Sequence, residues 1–489
     1  MSVSTPSVPV PAEPPAAESV ETSETAETAE TAEAVAVASV LALRHELGEL
    51  VRLPSDDDFD AARTPWNVAV AQHPAAVALP QTAEDVVRVV RAAARHGLRV
   101  APQGTGHGAG PLGEQDLSRT VLLRTTALRD VTVDPVARTA RVGAGAVWDD
   151  VVPLAAEHAL AALHGSSPDV GVAGFCLGGG IGWYARAHGL ATNAVRALEV
   201  VTAGGDLVRC DADTEPDLFW ALRGGGGGLA VVTALEIGLL PVADAYAGML
   251  LWDGERAPDV VRAWARWTAD LPEDTTTSCR VLRLPPLPEL PPFLSGRTVV
   301  VVDGAVLADD ATGTERLAAL RALAPEIDTF ARTPATAVTR IHMDPEGPTP
   351  SVGGSRPLRA LEADTVEAFL AAVGPGAPTS LLVAELRHLG GALARPAAGG
   401  GVLDHLPFGY VAFFAAVTPF PEAVTAGRAD VAAARDALAP WDADRVLLNF
   451  VEDAGDTSKG YAPAAWQRLQ AVRAAVDPTG LLQPNHVAR

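Results

Sequence analysis

Residues 98–110 read LRVAPQGTGHGAG, and residues 165–182 read GSSPDVGVAGFCLGGGIG. In the first stretch a short apolar strand, Leu98 to Ala101, runs directly into a glycine-rich loop. A third glycine run, Gly224 to Gly228, precedes an apolar strand at Ala230 to Leu239. Glycine lets backbone N–H groups approach a ligand closely, and such groups can hold phosphate oxygens. The three loops therefore indicate a phosphorylated cofactor, although a tight turn explains any single loop equally well.

The residues before the first loop complete a β-α-β unit. Val77 to Leu79 is a short apolar strand, and Thr82 with Asp85 resembles the capping box that starts a helix. Apolar residues then recur on one helical stripe until Gly97, a good residue to end a helix. This order predicts a strand, a helix and a second strand that delivers the loop at 104–110.

Two common phosphate-binding motifs are missing. There is no G-x-x-x-x-G-K-[ST], which argues against a P-loop nucleotidase. Gly104-x-Gly106-x-Gly108 lacks the G-x-G-x-x-G spacing, and no acidic residue about 20 positions on ends a second strand, so a Rossmann dinucleotide site is weakly supported. His107 stands among small residues with no large apolar partner. A lone histidine is usually structural, but its position at the tip of this loop favours a functional role.

Composition excludes several classes of partner. The formal charge is −23, and the chain has only one lysine, Lys459. This balance predicts no nucleic acid partner and no docking to an anionic membrane. There is no apolar run of about 18 residues, which predicts no transmembrane helix. The first ten residues do not resemble a signal peptide, and three scattered cysteines indicate a reducing compartment, so we expect a cytoplasmic protein.

Changes in pattern divide the chain into four segments. Residues 1–36 are predicted to be a disordered acidic tail, because they are a low-complexity repeat with little apolar material. Residues 37–241 hold the glycine loops. Residues 242–444, where proline-rich breaks occur at 285–292 and 347–357, are predicted to be a second domain. Residues 445–489 return to a dense pattern and contain a helix starting at Pro463.

These motifs, taken in order, resemble those of the berberine bridge enzyme-like FAD-linked oxidases, members of the vanillyl-alcohol-oxidase (PCMH-type FAD-binding) superfamily. The resemblance spans about 66 to 486. The matching stretches are Gln103–His107, Pro168–Gly182, Arg186 with Gly189, Leu190 and Asn193, Asp217–Gly227, Val231–Thr233, Asn449-Phe450, and Arg468-Leu469 with Val476–Pro478.

The resemblance implies an α+β fold: a two-subdomain PCMH-type FAD-binding domain over residues 37–241, completed by residues 445–489, plus a substrate-binding domain with an antiparallel sheet over residues 242–444. It also implies that His107 is bonded covalently to the flavin 8α-methyl group. The other cofactor-binding residues that it implies are Gln103, Gly104, Thr105, Gly106, Gly108, Ser166, Ser167, Asp169, Val170, Gly171, Gly174, Gly178, Val231, Asn449 and Asn485.

The sequence departs from the family pattern at two chemically important positions. Ser167 stands where many members have a second flavin-linking cysteine, which predicts a single covalent link through His107. Leu447 stands where many bacterial members have a tyrosine that acts as base. By strand alternation, Glu385 shares a face with Arg387, and Tyr410 shares a face with Ala412 and Phe414. Glu385 and Tyr410 are the candidate catalytic bases; a core tyrosine and a surface ion pair are the alternatives.

The resemblance implies an FAD-dependent oxidoreductase that moves a hydride from an alcohol, sugar or secondary metabolite to flavin N5. In the family, valine at the position of Val170 accompanies access of oxygen to the flavin, so we expect an oxidase with a small-molecule substrate and molecular oxygen as partners. The missing tyrosine leaves two alternatives open: a flavin-binding protein without turnover, and an FAD dehydrogenase that avoids oxygen. No metal is predicted.

Overall fold

The computed structural model describes residues 35–288 and 290–486. In this part of the chain the strands form three sheets. The strands are β1 (Val51–Arg52), β2 (Ala76–Ala78), β3 (Arg99–Gln103), β4 (Thr120–Arg124), β5 (Val131–Asp134), β6 (Thr139–Gly143), β7 (Val195–Val201), β8 (Leu207–Cys210), β9 (Val231–Gly238), β10 (Asp244–Asp253), β11 (Thr275–Arg283), β12 (Thr298–Val306), β13 (Ile327–Asp328), β14 (Ala331–Pro334), β15 (Ser351–Leu358), β16 (Val383–His388) and β17 (Tyr410–Val417).

The helices lie between these strands and after the last of them. They are α1 (35–47), α2 (Phe59–Arg63), α3 (Ala83–Arg95), α4 (Gly110–Gly113), α5 (Trp148–Ala156), α6 (Val172–Leu177), α7 (Ala185–His188), α8 (Pro216–Leu222), α9 (Ala257–Thr268), α10 (Asp310–Arg316), α11 (Ala318–Arg321), α12 (Ala335–Val338), α13 (Ala363–Val373), α14 (Pro421–Ala437) and α15 (Pro463–Val476).

The first sheet contains the predicted β-α-β unit and has the strand order β1-β2-β4-β3, in which β2, β4 and β3 are parallel. Helix α3 begins at the predicted cap: the Thr82 hydroxyl accepts a hydrogen bond from the Asp85 N–H at 3.1 Å. The Asp85 carboxylate in turn accepts from the Gln81 N–H at 3.2 Å. These bonds satisfy N–H groups that have no partner inside the helix.

The end of the described chain extends this first sheet. The Val100 N–H donates to the carbonyl of Leu481 at 2.8 Å, and the Gln483 N–H donates to the carbonyl of Val100 at 2.8 Å. The Asp477 carboxylate fixes the approach, because it accepts hydrogen bonds from the N–H groups of Leu481 and Leu482. Residues from the opposite ends of the sequence therefore meet beside the strand that delivers the first glycine loop.

The second sheet is antiparallel, with the order β5-β6-β9-β7-β8. Its largest apolar cluster joins β6, β7 and β9 to helices α5, α6 and α8. Trp148 of α5 and Tyr184 are among its fully buried large side chains. The second and third glycine loops are therefore attached to a packed support rather than to free chain.

The third sheet has eight strands in the order β13-β10-β12-β11-β16-β17-β15, and β14 also pairs with β10. All its pairings are antiparallel. Helices α9, α13 and α14 cover one face through apolar residues such as Trp264, Phe369 and Val431. The opposite face carries polar residues and lies towards the glycine loops. The α+β architecture predicted from the sequence is confirmed.

Arg186 of α7 ties the first part of the chain to the third sheet. Its guanidinium donates hydrogen bonds to the backbone carbonyls of Leu271, Pro272, Thr275 and Leu389. Only 5% of the residue is exposed. A planar group with five N–H donors can bind several neighbouring carbonyls at once. Arg186 therefore fixes the position of α7 relative to the third sheet.

One of the two proline-rich segments that were predicted to interrupt the second domain contains a β-strand. Part of the proline-rich stretch at 347–357 forms β15, which pairs along its whole length with β17. Pro357 is compatible with a strand here because β15 is at the edge of the sheet, where a missing N–H leaves no ladder bond unmade. Of the predicted tail, residues 1–34 lie outside the described residues. Within the described ranges, no helix is both long and apolar enough to span a bilayer.

Candidate functional site

The first glycine loop leaves β3 and doubles back beside Pro65. Gly106 has φ of +86°, and a Cβ there would lie 2.6 Å from the Pro65 Cβ. Only glycine fits both the left-handed conformation and this close approach. The Thr105 carbonyl accepts a hydrogen bond from the Trp66 N–H at 2.9 Å. The loop therefore has one fixed shape, which places His107 at its tip.

His107 is held by three neighbours. Its Nδ1 lies 2.8 Å from the Thr105 hydroxyl, and its Nε2 lies 3.5 Å from Oδ1 of Asp169. The Trp66 indole stacks on the imidazole with the ring centroids 4.1 Å apart and the planes 19° from parallel. The predicted attachment residue and Asp169 of the second glycine loop are therefore brought together by the fold.

Asp169 is a strongly stabilised carboxylate. Burial by itself raises its pKa, but His107, the Gly347 N–H, the Ser167 hydroxyl and the Trp66 indole N–H outweigh that effect and hold the pKa well below its usual range. The Trp66, Ser167 and Gly347 hydrogen bonds measure 2.7, 2.8 and 3.0 Å. Asp169 therefore carries a negative charge at neutral pH.

The two loops offer backbone amides to a ligand. Within the described ranges, no backbone N–H of residues 105–109 donates to a backbone carbonyl, and neither does that of Ser166, Ser167, Asp169 or Val170. The loops also touch, since a Cβ on Gly171 would lie 3.5 Å from the Thr105 hydroxyl oxygen. N–H groups that have no backbone acceptor are available to the diphosphate of the cofactor that the sequence resemblance implies.

Two asparagines from the end of the chain support the glycine loops. The Asn449 side chain accepts from the Gly180 N–H at 2.8 Å and donates to the carbonyl of Phe175 at 3.2 Å. The Asn485 side chain donates to the carbonyl of Gly108 at 2.6 Å and accepts from the Leu112 N–H at 3.0 Å. Both asparagines therefore connect the C-terminal segment to the loops that the sequence assigns to the cofactor.

The remaining predicted cofactor residues are less closely grouped. Gln103 accepts a hydrogen bond from Arg124 at 2.9 Å at the start of the first loop. Gly104 begins that loop, and Gly174 and Gly178 lie in and directly after α6. Val231 is fully buried in an apolar cluster with Val201 and Leu482, so its side chain serves packing.

A buried group of charged residues lies on the loop-facing side of the third sheet. Asp303 of β12 is completely buried and pairs with Arg280, His342 and Ser278. Burial raises the pKa of Asp303, but the charges of Arg280 and His342 and the hydrogen bonds outweigh it and lower the pKa below its ordinary value. The carboxylate is therefore ionised inside the protein.

Glu385 extends this buried group. It forms an ion pair with Arg387 at 2.9 Å and lies 3.8 Å from Nε2 of His342. Burial raises the pKa of Glu385, and the opposing charges of Arg387 and His342 bring it below its usual value. The ion pair is internal, since only 2% of the Glu385 side chain is exposed. The alternative of a surface pair is therefore wrong.

Three contacts join the buried charged group to the segments around the second glycine loop. The Ser166 hydroxyl donates to Asp344 at 3.0 Å, and Asp344 lies 3.7 Å from Nε2 of His342. The Trp183 and His342 rings meet edge to face with centroids 5.5 Å apart. Phe450, next to Asn449, lies under the Arg387 guanidinium at 5.6 Å. The polar face of the sheet thus borders the second glycine loop.

Tyr410, the other candidate base, lies on the opposite face of the sheet. Its hydroxyl is 3.0 Å from that of Thr268, and its ring packs on His388 and Trp264 beneath the helices. Burial raises its pKa. Tyr410 and Glu385 are therefore not brought together, and the position of Tyr410 matches the alternative of a core tyrosine.

The sequence reasoning did not identify Trp66, Arg280, Asp303 or His342. Asp303 carried a readable signal, because it interrupts the apolar run from Val299 to Val306 in a strand too apolar to face solvent. His342 and Trp66 gave none, since their roles depend on contacts between distant segments.

Comparison with known proteins agrees with this architecture. Residues 74–211 match a family described as an FAD binding domain. The chain is 34% identical over 206 residues to (R)-6-hydroxynicotine oxidase of Paenarthrobacter nicotinovorans, covering 42% of this chain and 44% of that protein. It is 32% identical over 205 residues to xylooligosaccharide oxidase of Thermothelomyces thermophilus, covering 41% of each. The match spans less than half the length of either relative.

Solved structures match over most of the chain. A structure of 6-hydroxy-D-nicotine oxidase from Arthrobacter nicotinovorans has a TM-score of 0.76 at 24% identity, covering 90% of this chain and 97% of that one. The BBE-like 1 protein of Physcomitrella patens has a TM-score of 0.78 at 19% identity, covering 91% and 99%. These likenesses establish the fold.

Residues 74–211 therefore form an FAD-binding domain, and the chain has the fold of the solved 6-hydroxy-D-nicotine oxidase and BBE-like 1 structures. This domain match and this fold agree with the resemblance read from the motifs.

Proposed function

We propose that this protein is an FAD-dependent oxidase acting on a small alcohol, sugar or secondary metabolite, with its FAD joined by one covalent bond to His107. The observation that carries the proposal is the facing arrangement of two features: His107 with its loop of free amides, and the buried charged face of the third sheet. The relatives are named as oxidases of a nicotine derivative and of oligosaccharides, which supports this reaction class.

The loops at 103–108 and 166–171 would hold the diphosphate through backbone N–H groups, because the chain brings no lysine to this site. When bound, FAD would accept a hydride from the substrate carbon and pass two electrons to oxygen. Ser167 replaces the second attachment cysteine, and its hydroxyl already donates to Asp169. Cys176 is no substitute, because burial raises the pKa of its thiol to about 12.

Glu385 is the base in this proposal. It is ionised, it lies on the loop-facing side of the sheet, and its neighbours Arg387 and His342 hold its carboxylate in place. A carboxylate in this position can take the hydroxyl proton of the substrate as the C–H bond breaks. Val170 precedes Gly171 at the position that the family associates with oxygen access.

A flavin-bleaching screen tests the proposal. Purified protein should be yellow, and a library of alcohols, sugars and phenolic metabolites under argon should include a compound that bleaches it. Air should then restore the colour with formation of hydrogen peroxide. Protein that is colourless and takes up no FAD would disprove the proposal. Bleached protein that stays colourless in air would indicate a dehydrogenase, and coloured protein that no compound bleaches would indicate binding without turnover.

The covalent link has its own test. Acid-precipitated wild-type protein should keep its flavin, and the His107→Ala variant should release it. Release of free FAD from the denatured wild-type protein would contradict the assignment of His107.

A further inference from the structure

We propose that Asp169 is a positioning residue for flavin attachment: its carboxylate fixes the orientation and the tautomer of the His107 imidazole. The inference rests on the proposed function, since it concerns the same covalent link. It adds which side chain sets the tautomer of the reacting ring.

The geometry assigns different partners to the two ring nitrogens. Nε2 is buried and faces Oδ1 of Asp169 at 3.5 Å, while Nδ1 faces the Thr105 hydroxyl at 2.8 Å. An ionised carboxylate only accepts hydrogen bonds, so it favours the tautomer with the proton on Nε2. The Thr105 hydroxyl can then donate to Nδ1, which keeps its lone pair. The neutral ring therefore presents Nδ1 as the nucleophile.

Asp169 is itself rigidly held. The Trp66 indole N–H, the Ser167 hydroxyl and the Gly347 N–H all donate to it, and Trp66 also stacks on the His107 ring. Both members of the pair are thus held by contacts with protein groups. This matters because only a ring held in one orientation can present the same nitrogen on each occasion.

Attachment joins the flavin to His107 and leaves the flavin ring reduced. A C–H bond of the flavin 8α-methyl group breaks, and a bond forms between that carbon and Nδ1 of His107. Two electrons stay on the isoalloxazine, and two protons, one from the methyl group and one from Nε2, accompany them. Molecular oxygen then takes up both electrons and both protons as hydrogen peroxide. The positive charge that develops on the alkylated imidazole faces the Asp169 carboxylate, which stabilises it.

The experiment compares wild-type protein with Asp169→Asn, Asp169→Glu and Asp149→Asn. Asparagine removes the charge and keeps an acceptor for the Trp66 and Gly347 hydrogen bonds, while its NH2 group replaces the oxygen that faces Ser167 and His107. Glutamate keeps the charge. Asp149 is a matched control, because its carboxylate lies on nearby α5 and pairs with Arg340 rather than with His107. Protein from riboflavin-limited cells is mixed with FAD, and total bound flavin and flavin retained after denaturation are followed over time.

We expect Asp169→Asn to bind FAD as the wild type does but to attach it slower by roughly tenfold or more. Asp169→Glu should recover part of the rate, and Asp149→Asn should match the wild type. In the wild type, NMR of the isolated histidyl-flavin peptide should place the flavin on Nδ1, a result that needs no folded variant. In Asp169→Asn a fraction should shift to Nε2, which a merely structural role of Asp169 would not produce.

Equal attachment rates in Asp169→Asn and wild type, or linkage through Nε2 in the wild type, would overturn this inference alone. Wild-type protein that binds FAD but releases all of it on denaturation would overturn the covalent link together with this inference. Wild-type protein that binds no FAD would overturn the proposed function as well.

Discussion

Nδ1 of His342 lies 2.8 Å from Oδ2 of Asp303, and both side chains are buried between the third sheet and the FAD-binding part of the chain. The histidine comes from a loop after α12 and the aspartate from the middle of β12. Arg280 and Ser278, on the neighbouring strand, bind the same carboxylate. One internal carboxylate thus holds three partners, which makes it a sensitive point for stability.

Asp303→Asn should destabilise the protein strongly. The substitution leaves the buried Arg280 guanidinium without its counter-charge, and breaking a buried ion pair from one side costs about 3–5 kcal/mol. Urea unfolding followed by circular dichroism measures the change. Asp149→Asn is the control, because its ion pair is half exposed and such pairs contribute about 0–1 kcal/mol. Equal losses in the two variants would contradict the role assigned to Asp303.

His164 should make the protein less stable as the pH falls from 6.5 to 4. It is fully buried, and burial lowers its pKa from 6.5 to about 4 although its hydrogen bond with the Gly165 carbonyl acts in the opposite direction. Between pH 6.5 and 4 the His164 side chain is protonated in the unfolded chain but not in the folded protein. The free energy of unfolding is therefore highest above pH 6.5 and falls as the pH drops through this range.

Melting temperatures measured between pH 7 and pH 4 test this expectation. His164→Gln should give a shallower decline than the wild type, because glutamine does not titrate. His96→Gln is a suitable control, since His96 lies at the surface beside Glu46. A wild-type decline that is unchanged in His164→Gln would show that other groups cause the acid sensitivity.

Glu385→Gln should lower kcat by roughly a hundredfold or more on any compound that bleaches the flavin, since a general base contributes about 10²–10⁴. Bound flavin should be unchanged, because Glu385 belongs to the sheet face and not to the glycine loops. Tyr410→Phe should keep nearly full activity, because its hydroxyl faces Thr268 beneath the helices. The opposite ranking of the two variants would make Tyr410 the base. Steady-state peroxide production gives both values.

Ser167→Cys should add a second attachment point. The Ser167 side chain is close to Asp169 and hence to the loop that carries His107. A thiol there can form a thioether to the flavin, visible as a further change in the absorption spectrum and as a flavin bound to two peptides after digestion. Ser166→Cys is the control, since the Ser166 hydroxyl points to Asp344 instead. A spectrum identical to that of the wild type would show that position 167 does not reach the flavin.

The local elements of the FAD-binding part were predictable because their signals are local. The cap at Thr82, the glycine turn after β3 and the helix beginning at Pro463 all depend on residues a few positions apart. The third sheet was harder. Strand β15 contains glycines and a proline and becomes a strand only because β17 supplies a pairing edge. The charge at Asp303 is tolerated only because Arg280 and His342 arrive from other segments.

An FAD-binding domain, the order of its glycine loops and the place of His107 at the tip of the first loop were all readable from the amino-acid sequence. It also placed Glu385 and Arg387 on one face of a strand, because side chains alternate with a period of two. The tertiary structure was needed to show that the sheet face with Glu385, and not the face with Tyr410, lies towards the glycine loops. It was also needed to show that Asp169, Trp66 and Thr105 surround His107. Such contacts join residues as far apart in sequence as Ser166 and Asp344, which are separated by 178 positions. They form only when packed sheets and helices bring those segments together.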